Sequence, residues 1–301
     1  MVENLFAWDG RMIAMDAGRA TKPRELEPAA GSGTPPNRRR PRLWAIRGTL
    51  SSKTYAAIAV LGIALPFLLW IGLLSLGAVP KLFMPAPIEV VERFAHWVTN
   101  EGFAADLWIS VQRVTLGFAL SLAIALPLGL LCGTFKPCEA FLEPAFDFVR
   151  YMPAVAFVPL MLLWCGIGEA SKVSVIFIGT FFQMLLMFAD DVRRVPMQQI
   201  EAAQTMGATS REILFRVILP SSAPALLTTS RVTLGWAWTY LVVAEMVAAN
   251  SGIGYAILKA QRFLQTDKIF AGLIVIGLIG LLQDQFMRAL RAVLFPYLKG
   301  R

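Results

Sequence analysis

Long apolar stretches alternate with short polar ones along this chain from about residue 56 onward. A helix of roughly 17 to 25 apolar residues is long enough to cross the hydrocarbon core of a membrane. Helices of this kind are predicted over 56–79, 114–135, 141–167, 173–189, 221–247 and 269–287. The pattern therefore predicts an all-α integral membrane protein with six transmembrane helices.

The first 54 residues have a different character from the rest of the chain. Residues 1–42 are polar, contain the pair Pro35-Pro36 and lack an apolar core segment, so they do not resemble a signal peptide. We predict that residues 1–54 form a disordered cytoplasmic tail followed by a basic juxtamembrane segment. Residues 55–298 are predicted to form the transmembrane domain.

The charges beside the spans predict their orientation. Six basic and no acidic residues lie between Arg38 and Lys53, and basic residues mark the cytoplasmic ends of spans. Segment 80–109 carries four acidic residues against two basic ones and is predicted to be periplasmic. The basic C-terminal residues favour the cytoplasm for that end as well; they are Arg288, Arg291, Lys299 and Arg301.

Composition supports the membrane assignment. Hydrophobic residues make up 56% of the 301 residues and charged residues only 16%, which is too apolar for an ordinary soluble domain. The net charge of +8 could suggest nucleic acid, but the basic residues stand at the ends of apolar runs. We therefore expect membrane lipid, and no nucleic acid, as a partner.

The polar segment 196–220 lies between the fourth and fifth predicted spans. Pro196 suits the first turn of a helix, and Gly207 suits the left-handed position after a helix end. Thr209 and Glu212 have the spacing of a capping box, which predicts a second helix that Pro220 closes. The segment is thus predicted to form two short helices on the cytoplasmic side.

The residues of this segment resemble the EAA loop of ABC importer permeases. The match is carried by Glu201, Ala202, Ala203, Gly207, Leu219 and Pro220, with Val217 where isoleucine is usual. In that family the loop is a coupling helix that sits in a groove of the separate ATPase subunit. For Glu201 a second interpretation stays open, namely a carboxylate favoured by the helix dipole.

Other stretches resemble the taurine, alkanesulfonate and nitrate branch of these permeases. They are SVQRVTLGFAL at 110–120, LLWCGIGEASK at 162–172, GWAWTYLVVAEM at 235–246 and SGIGYAIL at 251–258. The resemblance implies a type I importer fold in the bacterial inner membrane. It also implies a homodimer, two cytoplasmic ATPase subunits that hold ATP and Mg²⁺, and a periplasmic solute-binding protein.

Charges inside spans are costly and commonly face a cavity or a partner. Arg231, Trp238 and Glu245 recur every seven residues on the fifth span, with Arg231 and Glu245 about 21 Å apart, too far to pair. They are predicted either to line a translocation pathway or to be snorkelling residues. Arg150 has the same two interpretations, with helix packing as a further one, whereas Arg113 is expected to be an interfacial anchor.

Catalytic chemistry is not indicated. The sequence lacks the GxxxxGK[ST] pattern that cradles nucleotide phosphates, so ATP hydrolysis is assigned to a partner chain. His96 is the only histidine, which leaves a protease without its base and a metal site without its usual ligand. The three cysteines have no metal-binding spacing and are interpreted as packing residues; they are Cys132, Cys138 and Cys165.

The sequence therefore predicts a non-enzymatic permease subunit of a bacterial ABC importer for a small solute. An anion of the sulfonate, taurine or nitrate type is favoured by the resemblance and by the basic residues within spans. The alternative is an ATP-independent secondary transporter or channel, from which the coupling segment is the distinguishing feature. A membrane scaffold without a transport role is disfavoured by the charges within spans.

Overall fold

The computed structural model describes residues 51–298, and all regular structure in that range is helical. The helices are α1 (Ser52–Ser75), α2 (Pro87–Asn100), α3 (Phe103–Thr134), α4 (Lys136–Arg150), α5 (Val158–Cys165), α6 (Glu169–Arg193), α7 (Met197–Thr205), α8 (Ser210–Ile213), α9 (Leu219–Ala248), α10 (Ile253–Arg262) and α11 (Thr266–Leu294). The structure divides after Gly62 into two units, and the larger contains every contact discussed below.

Within the described range, five helices are long and apolar enough to cross a membrane: α1, α3, α6, the helix continuing from α8 into α9, and α11. A sixth crossing arises if α4 is counted together with the short helices over 154–165 that follow it. The prediction of six spans is confirmed with that pair counted as one.

The third predicted span, 141–167, is broken into separate helices. The chain bends by 91° between α4 and the helical segment Ala154–Cys165. Pro153 lies at the break with φ −59° and ψ 124°. Proline has no N–H to donate and disfavours helical geometry at the residue before it, which accounts for the bend at this point.

Two segments that the hydropathy pattern treats as loops contain helices. The 80–109 segment holds α2, whose start is capped by Glu89 accepting a hydrogen bond from the Ala86 N–H at 2.7 Å. The SGIGYAIL stretch forms the beginning of α10. Both helices are amphipathic and too short to span, so a search for apolar runs does not detect them.

An ion cluster ties the end of α2 to the start of α11. Glu101 pairs with Arg93 at 2.7 Å and with Lys268, whose ammonium also lies 4.8 Å from the Trp97 ring centre. The hydrogen bond from Lys268 holds the pKa of Glu101 below its usual value. Its contribution to stability is therefore present above the unfolded-state pKa and is lost as pH falls through the lowered folded-state pKa.

The closest helix packing joins α3 to α6 along a row of small residues. They stand four apart on one face of α3 and are Gly117, Ser121, Ala125, Gly129 and Gly133. A Cβ atom at Gly129 would lie 2.6 Å from the Cβ of Phe188, and one at Gly133 would lie 2.7 Å from the carbonyl oxygen of Ala189. Small residues at this spacing let two membrane helices approach until their backbones touch.

The predicted domain boundary falls within a helix. Residues 54 and 55 lie in the first turn of α1, which begins at Ser52. Residues 1–50, with most of the predicted tail, and residues 299–301 lie outside the described part of the chain. The division of the chain at residue 54 therefore remains a prediction.

We expect Gly129→Ala to destabilise the protein by about 1–3 kcal/mol, because the added methyl overlaps Phe188 and forces α3 away from α6. Thermal unfolding of the detergent-solubilised protein measures the effect. Gly277→Ala on α11 is the matched control, because a Cβ there meets no atom within 4 Å. Equal unfolding midpoints for the two variants would contradict the role of the small-residue row.

Candidate functional site

The segment 196–220 folds as two helices around a left-handed glycine, as its helix-starting and helix-ending residues predict. Helix α7 ends at Thr205, and Gly207 follows with φ +82°. The Thr209 N–H donates to Glu212 Oε2 at 2.9 Å, and the Glu212 N–H donates to Thr209 Oγ1 at 3.4 Å. These reciprocal bonds form the predicted capping box at the start of α8.

The prediction that Pro220 closes the second helix is wrong. Helix α8 continues through a π-helical turn, Leu214–Ile218, into α9, and the Leu219 N–H bonds the Leu214 carbonyl. Pro220 then occupies the first turn of α9, where its missing N–H is tolerated. From Ser210 onward, the end of the segment 196–220 and the fifth span therefore form one continuous helix.

The residues assigned to coupling divide between two sides of the segment. Ala203 is 5% exposed in the main core, and Leu219 is partly buried against it. Four others are exposed: Glu201, Ala202, Gly207 and Pro220. Helix α7 is also tied to α9 by a hydrogen bond of 3.0 Å from Ser221 Oγ to Gln199 Oε1. The segment thus has an anchored inner side and a free outer side.

A second polar contact holds the end of α6, from which the segment emerges. Asp191 is buried there and accepts a hydrogen bond of 2.5 Å from Thr229 Oγ1 on α9. The sequence gives no sign of this pair, because the two residues are 38 positions apart and their neighbours form no motif. The contact fixes α6 against α9 near the coupling segment.

A cavity of about 240 Å³ opens between the bend after α4, helix α6 and helix α9. Its lining includes Arg150 beside the bend, Gly179 and Gln183 on α6, and Trp236, Thr239 and Tyr240 on α9. Of the four residues that the sequence assigned to a pathway, only Arg150 is among these lining residues. The cavity combines one guanidinium with neutral hydrogen-bonding groups and aromatic rings.

The guanidinium of Arg150 is partly exposed, and its ion-pair partner Asp147 is partly exposed as well. Its Nε lies 3.0 Å from Asp147 Oδ1 one turn earlier, with both side chains accessible. The group also lies 5.1 Å from the centre of the exposed Tyr151 ring. Because exposed ion pairs are weak, Arg150 can exchange Asp147 for another anion.

Arg231 and Trp238 face α11. Arg231 is paired with Asp284, and the Trp238 Nε1–H donates to Gln283 at 2.5 Å. Trp238 is 3% exposed, whereas Trp236, two residues earlier, lines the cavity. A pathway role for Arg231 and Trp238 remains a prediction, and their contacts indicate that they hold α9 against α11.

Two buried charges, Arg113 and Glu245, form the Arg113 cluster together with the exposed Glu169 and the buried Ser110. Arg113 Nε and Nη2 donate to the two carboxylate oxygens of Glu169 at 2.6 and 2.7 Å. Its Nη1 donates to Glu245 Oε1 at 2.7 Å, and Ser110 Oγ donates to the same oxygen at 2.7 Å. The cluster joins α3, α6 and α9.

Arg113 is not an exposed anchor, since its side chain is only 2% exposed. Glu245 is fully buried, which also excludes the interpretation of that residue as snorkelling. Arg113 has both of its carboxylate partners on other helices, more than 50 residues away along the chain. No local pattern on α3 or α9 could reveal the pairing.

The glycines of the SGIG stretch are required by this cluster. The Gly254 N–H donates to Glu245 Oε2 at 2.7 Å, and Gly252 has φ +108°. A Cβ at Gly252 would lie 2.3 Å from Glu245 Oε1. The carboxylate therefore receives its hydrogen bonds only because the chain at this point carries no side chain.

Comparisons with known proteins agree on one family. The family model described as binding-protein-dependent transport system inner membrane component matches residues 125–295. A putative aliphatic sulfonates transport permease protein of Bacillus subtilis is 35% identical over 239 residues, covering 78% of this chain and 87% of the relative. The taurine transport system permease protein of Escherichia coli is 34% identical over 256 residues, covering 83% and 92%.

A more distant relative and a solved structure extend the comparison. The nitrate import permease protein of Synechocystis is 27% identical over 222 residues, covering 71% of this chain and 81% of the relative. An inward-facing structure of the MetNI methionine ABC transporter aligns with a TM-score of 0.53 at 20% identity, covering 62% of this chain and 95% of its own. At that identity the structural likeness concerns the fold alone.

We expect Glu245→Ala to lower the free energy of unfolding by about 3–5 kcal/mol, because it leaves the buried Arg113 charge without one of its partners. Thermal unfolding in detergent provides the measurement. Lys136→Ala is the control, since it removes an ion pair whose lysine is 86% exposed, and it should have little effect. Similar shifts for both variants would contradict the importance of the cluster.

Proposed function

Because this chain belongs to the binding-protein-dependent transport system inner membrane component family, we propose that its α6–α9 cavity carries a small anion across the membrane. The chain is a multi-pass inner-membrane permease subunit of an ABC importer. It is not catalytic, because in such transporters ATP is hydrolysed by a separate subunit. The cavity lined by Arg150 is the observation that carries the proposal.

The size and lining of the cavity fit a small oxyanion. Its volume of about 240 Å³ is below the roughly 300–1,000 Å³ of pockets that hold drug-sized ligands. Arg150 supplies the positive charge, and Gln183, Trp236 and Tyr240 supply neutral donors and ring faces. An anion that leaves water needs such replacements for its hydration shell.

The relatives indicate the class of anion. Their names refer to aliphatic sulfonates, taurine and nitrate, which share negatively charged oxygen atoms on a small group. Guanidinium groups suit planar and multi-oxygen anions because their N–H donors form a fork. We infer a solute of the sulfonate, taurine or nitrate type for this chain.

We propose that the outer side of the segment 196–220 docks on the ATPase. The exposed residues Glu201, Ala202, Gly207 and Pro220 would make the contact. Ala203 and Leu219 would anchor the segment to the core from within. Two such permeases would form a homodimer with two ATPases that hold ATP and Mg²⁺, a periplasmic binding protein and surrounding lipid.

Docking at this segment would place it in the cytoplasm, in agreement with the basic residues that flank the spans. The N- and C-termini would then lie in the cytoplasm, and α2 and α10 would face the periplasm. In this scheme ATP binding draws the two coupling segments together and opens the cavity outward, and hydrolysis resets it. Family membership disfavours the alternative of an ATP-independent transporter or channel.

Arg150→Gln should reduce uptake by about tenfold or more, which corresponds to the loss of one hydrogen-bonded charge on the solute. Uptake into proteoliposomes, normalised to assembled complex, measures the effect. Asp147→Asn is the matched control, because it frees Arg150 from its neighbour and should preserve or raise uptake. Unchanged normalised uptake in Arg150→Gln would refute the solute site.

Gly207→Val should insert into the membrane but lose ATPase recruitment. A β-branched residue at φ +82° costs about 1–2 kcal/mol, and the strain lies in the backbone because a Cβ there meets no neighbour within 4 Å. Gly207→Asn tests this reasoning, since asparagine tolerates the left-handed region and should retain docking. Co-purification of the ATPase with each variant measures docking. Normal recruitment by Gly207→Val would contradict the assignment of this segment to coupling.

A further inference from the structure

We infer that the contact between Gly179 on α6 and Tyr240 on α9 sets the largest solute that the cavity accepts. The inference rests on the proposed function, because it concerns the same cavity. In this inference the Gly179–Tyr240 pair determines specificity. The property that the pair selects is the length of the aliphatic chain attached to the anionic group of the solute.

The aromatic ring of Tyr240 lies directly against the backbone of Gly179. A Cβ added at Gly179 would lie 2.4, 2.5 and 2.7 Å from three carbons of the ring. Both residues line the cavity. The ring can occupy its position only because residue 179 has no side chain.

Gly179 differs from the glycines that hold α3 against α6. At Gly129 and Gly133 an added Cβ would meet backbone atoms of α6, so the two helices would have to separate. At Gly179 the three nearest atoms all belong to one side-chain ring. A side chain can rotate, so a methyl at Gly179 would move the ring while the helices stay in place.

The ring has little space to move except toward the cavity. Tyr240 is half-buried and packs against the main core on one side, where interior packing is dense. On its other side lies the cavity of about 240 Å³. Displacement by a methyl therefore reduces the volume available to a solute near Gln183 and Trp236.

A smaller cavity discriminates by chain length. One methylene group in an apolar pocket changes binding by about 10- to 200-fold. The anionic end would still reach Arg150, which lies beside the bend and is not moved. Short alkanesulfonates should thus be tolerated, whereas longer ones should be excluded.

The test uses the purified permease–ATPase complex in lipid nanodiscs, without a binding protein, so that the selectivity of that protein does not enter. Dissociation constants for methanesulfonate and hexanesulfonate are measured by calorimetric titration. We expect Gly179→Ala to weaken hexanesulfonate about tenfold more than methanesulfonate. Tyr240→Ala, alone or combined with Gly179→Ala, should shift the preference toward hexanesulfonate.

Gly235→Ala is the control, because this glycine lies on α9, the helix that carries Tyr240, and an added Cβ there meets nothing within 4 Å. An equal or absent change for both solutes in Gly179→Ala, or no shift in Tyr240→Ala, would overturn the inference. If Arg150→Gln still weakens both solutes in that case, the proposed function survives. If wild-type complex binds neither solute, or if Arg150→Gln has no effect, both proposals fail.

Discussion

The burial of Arg113 is the constraint on which the arrangement of the helices depends. A guanidinium at this depth is tolerated only with hydrogen-bonded carboxylates around it, and these come from Glu169 on α6 and Glu245 on α9. The pairing fixes the register of three helices at once. It also requires glycine at positions 252 and 254, because a Cβ at either position would overlap the Glu245 side chain.

The packing of α6 differs between the side that faces α3 and the side that faces the cavity. Small residues bring α3 and α6 into backbone contact and leave no space between them. The break at Pro153 turns the chain by 91°; α5 then packs against α6 and α9 through Val158 and Met161, and the cavity stays open beside the bend. Helix α6 is therefore tightly packed against α3 on one face and borders the cavity with Gly179 and Gln183 on another.

Sequence alone predicts features that depend on neighbouring residues. The spans follow from local hydropathy, and the turn at Gly207 follows from capping residues within a few positions. It does not predict which helix a given face meets. Seven-residue spacing placed Trp238 on one face of α9, but only the tertiary structure shows that this face packs on α11 and that Trp236 lines the cavity. The partners of Arg113 were hidden for the same reason.

The uninterrupted helix from α8 through the π-turn into α9 has a mechanical consequence. Ser210, beside the turn at Gly207, and Trp236, at the cavity wall, are about 40 Å apart along one rod at about 1.5 Å per residue. With no loop between them to absorb a twist, a rotation of the helix at Ser210 would be transmitted toward the wall of the cavity. The π-turn, where the hydrogen-bond register changes, and Pro224 inside α9, which lacks an N–H to donate, are places at which that rod can flex.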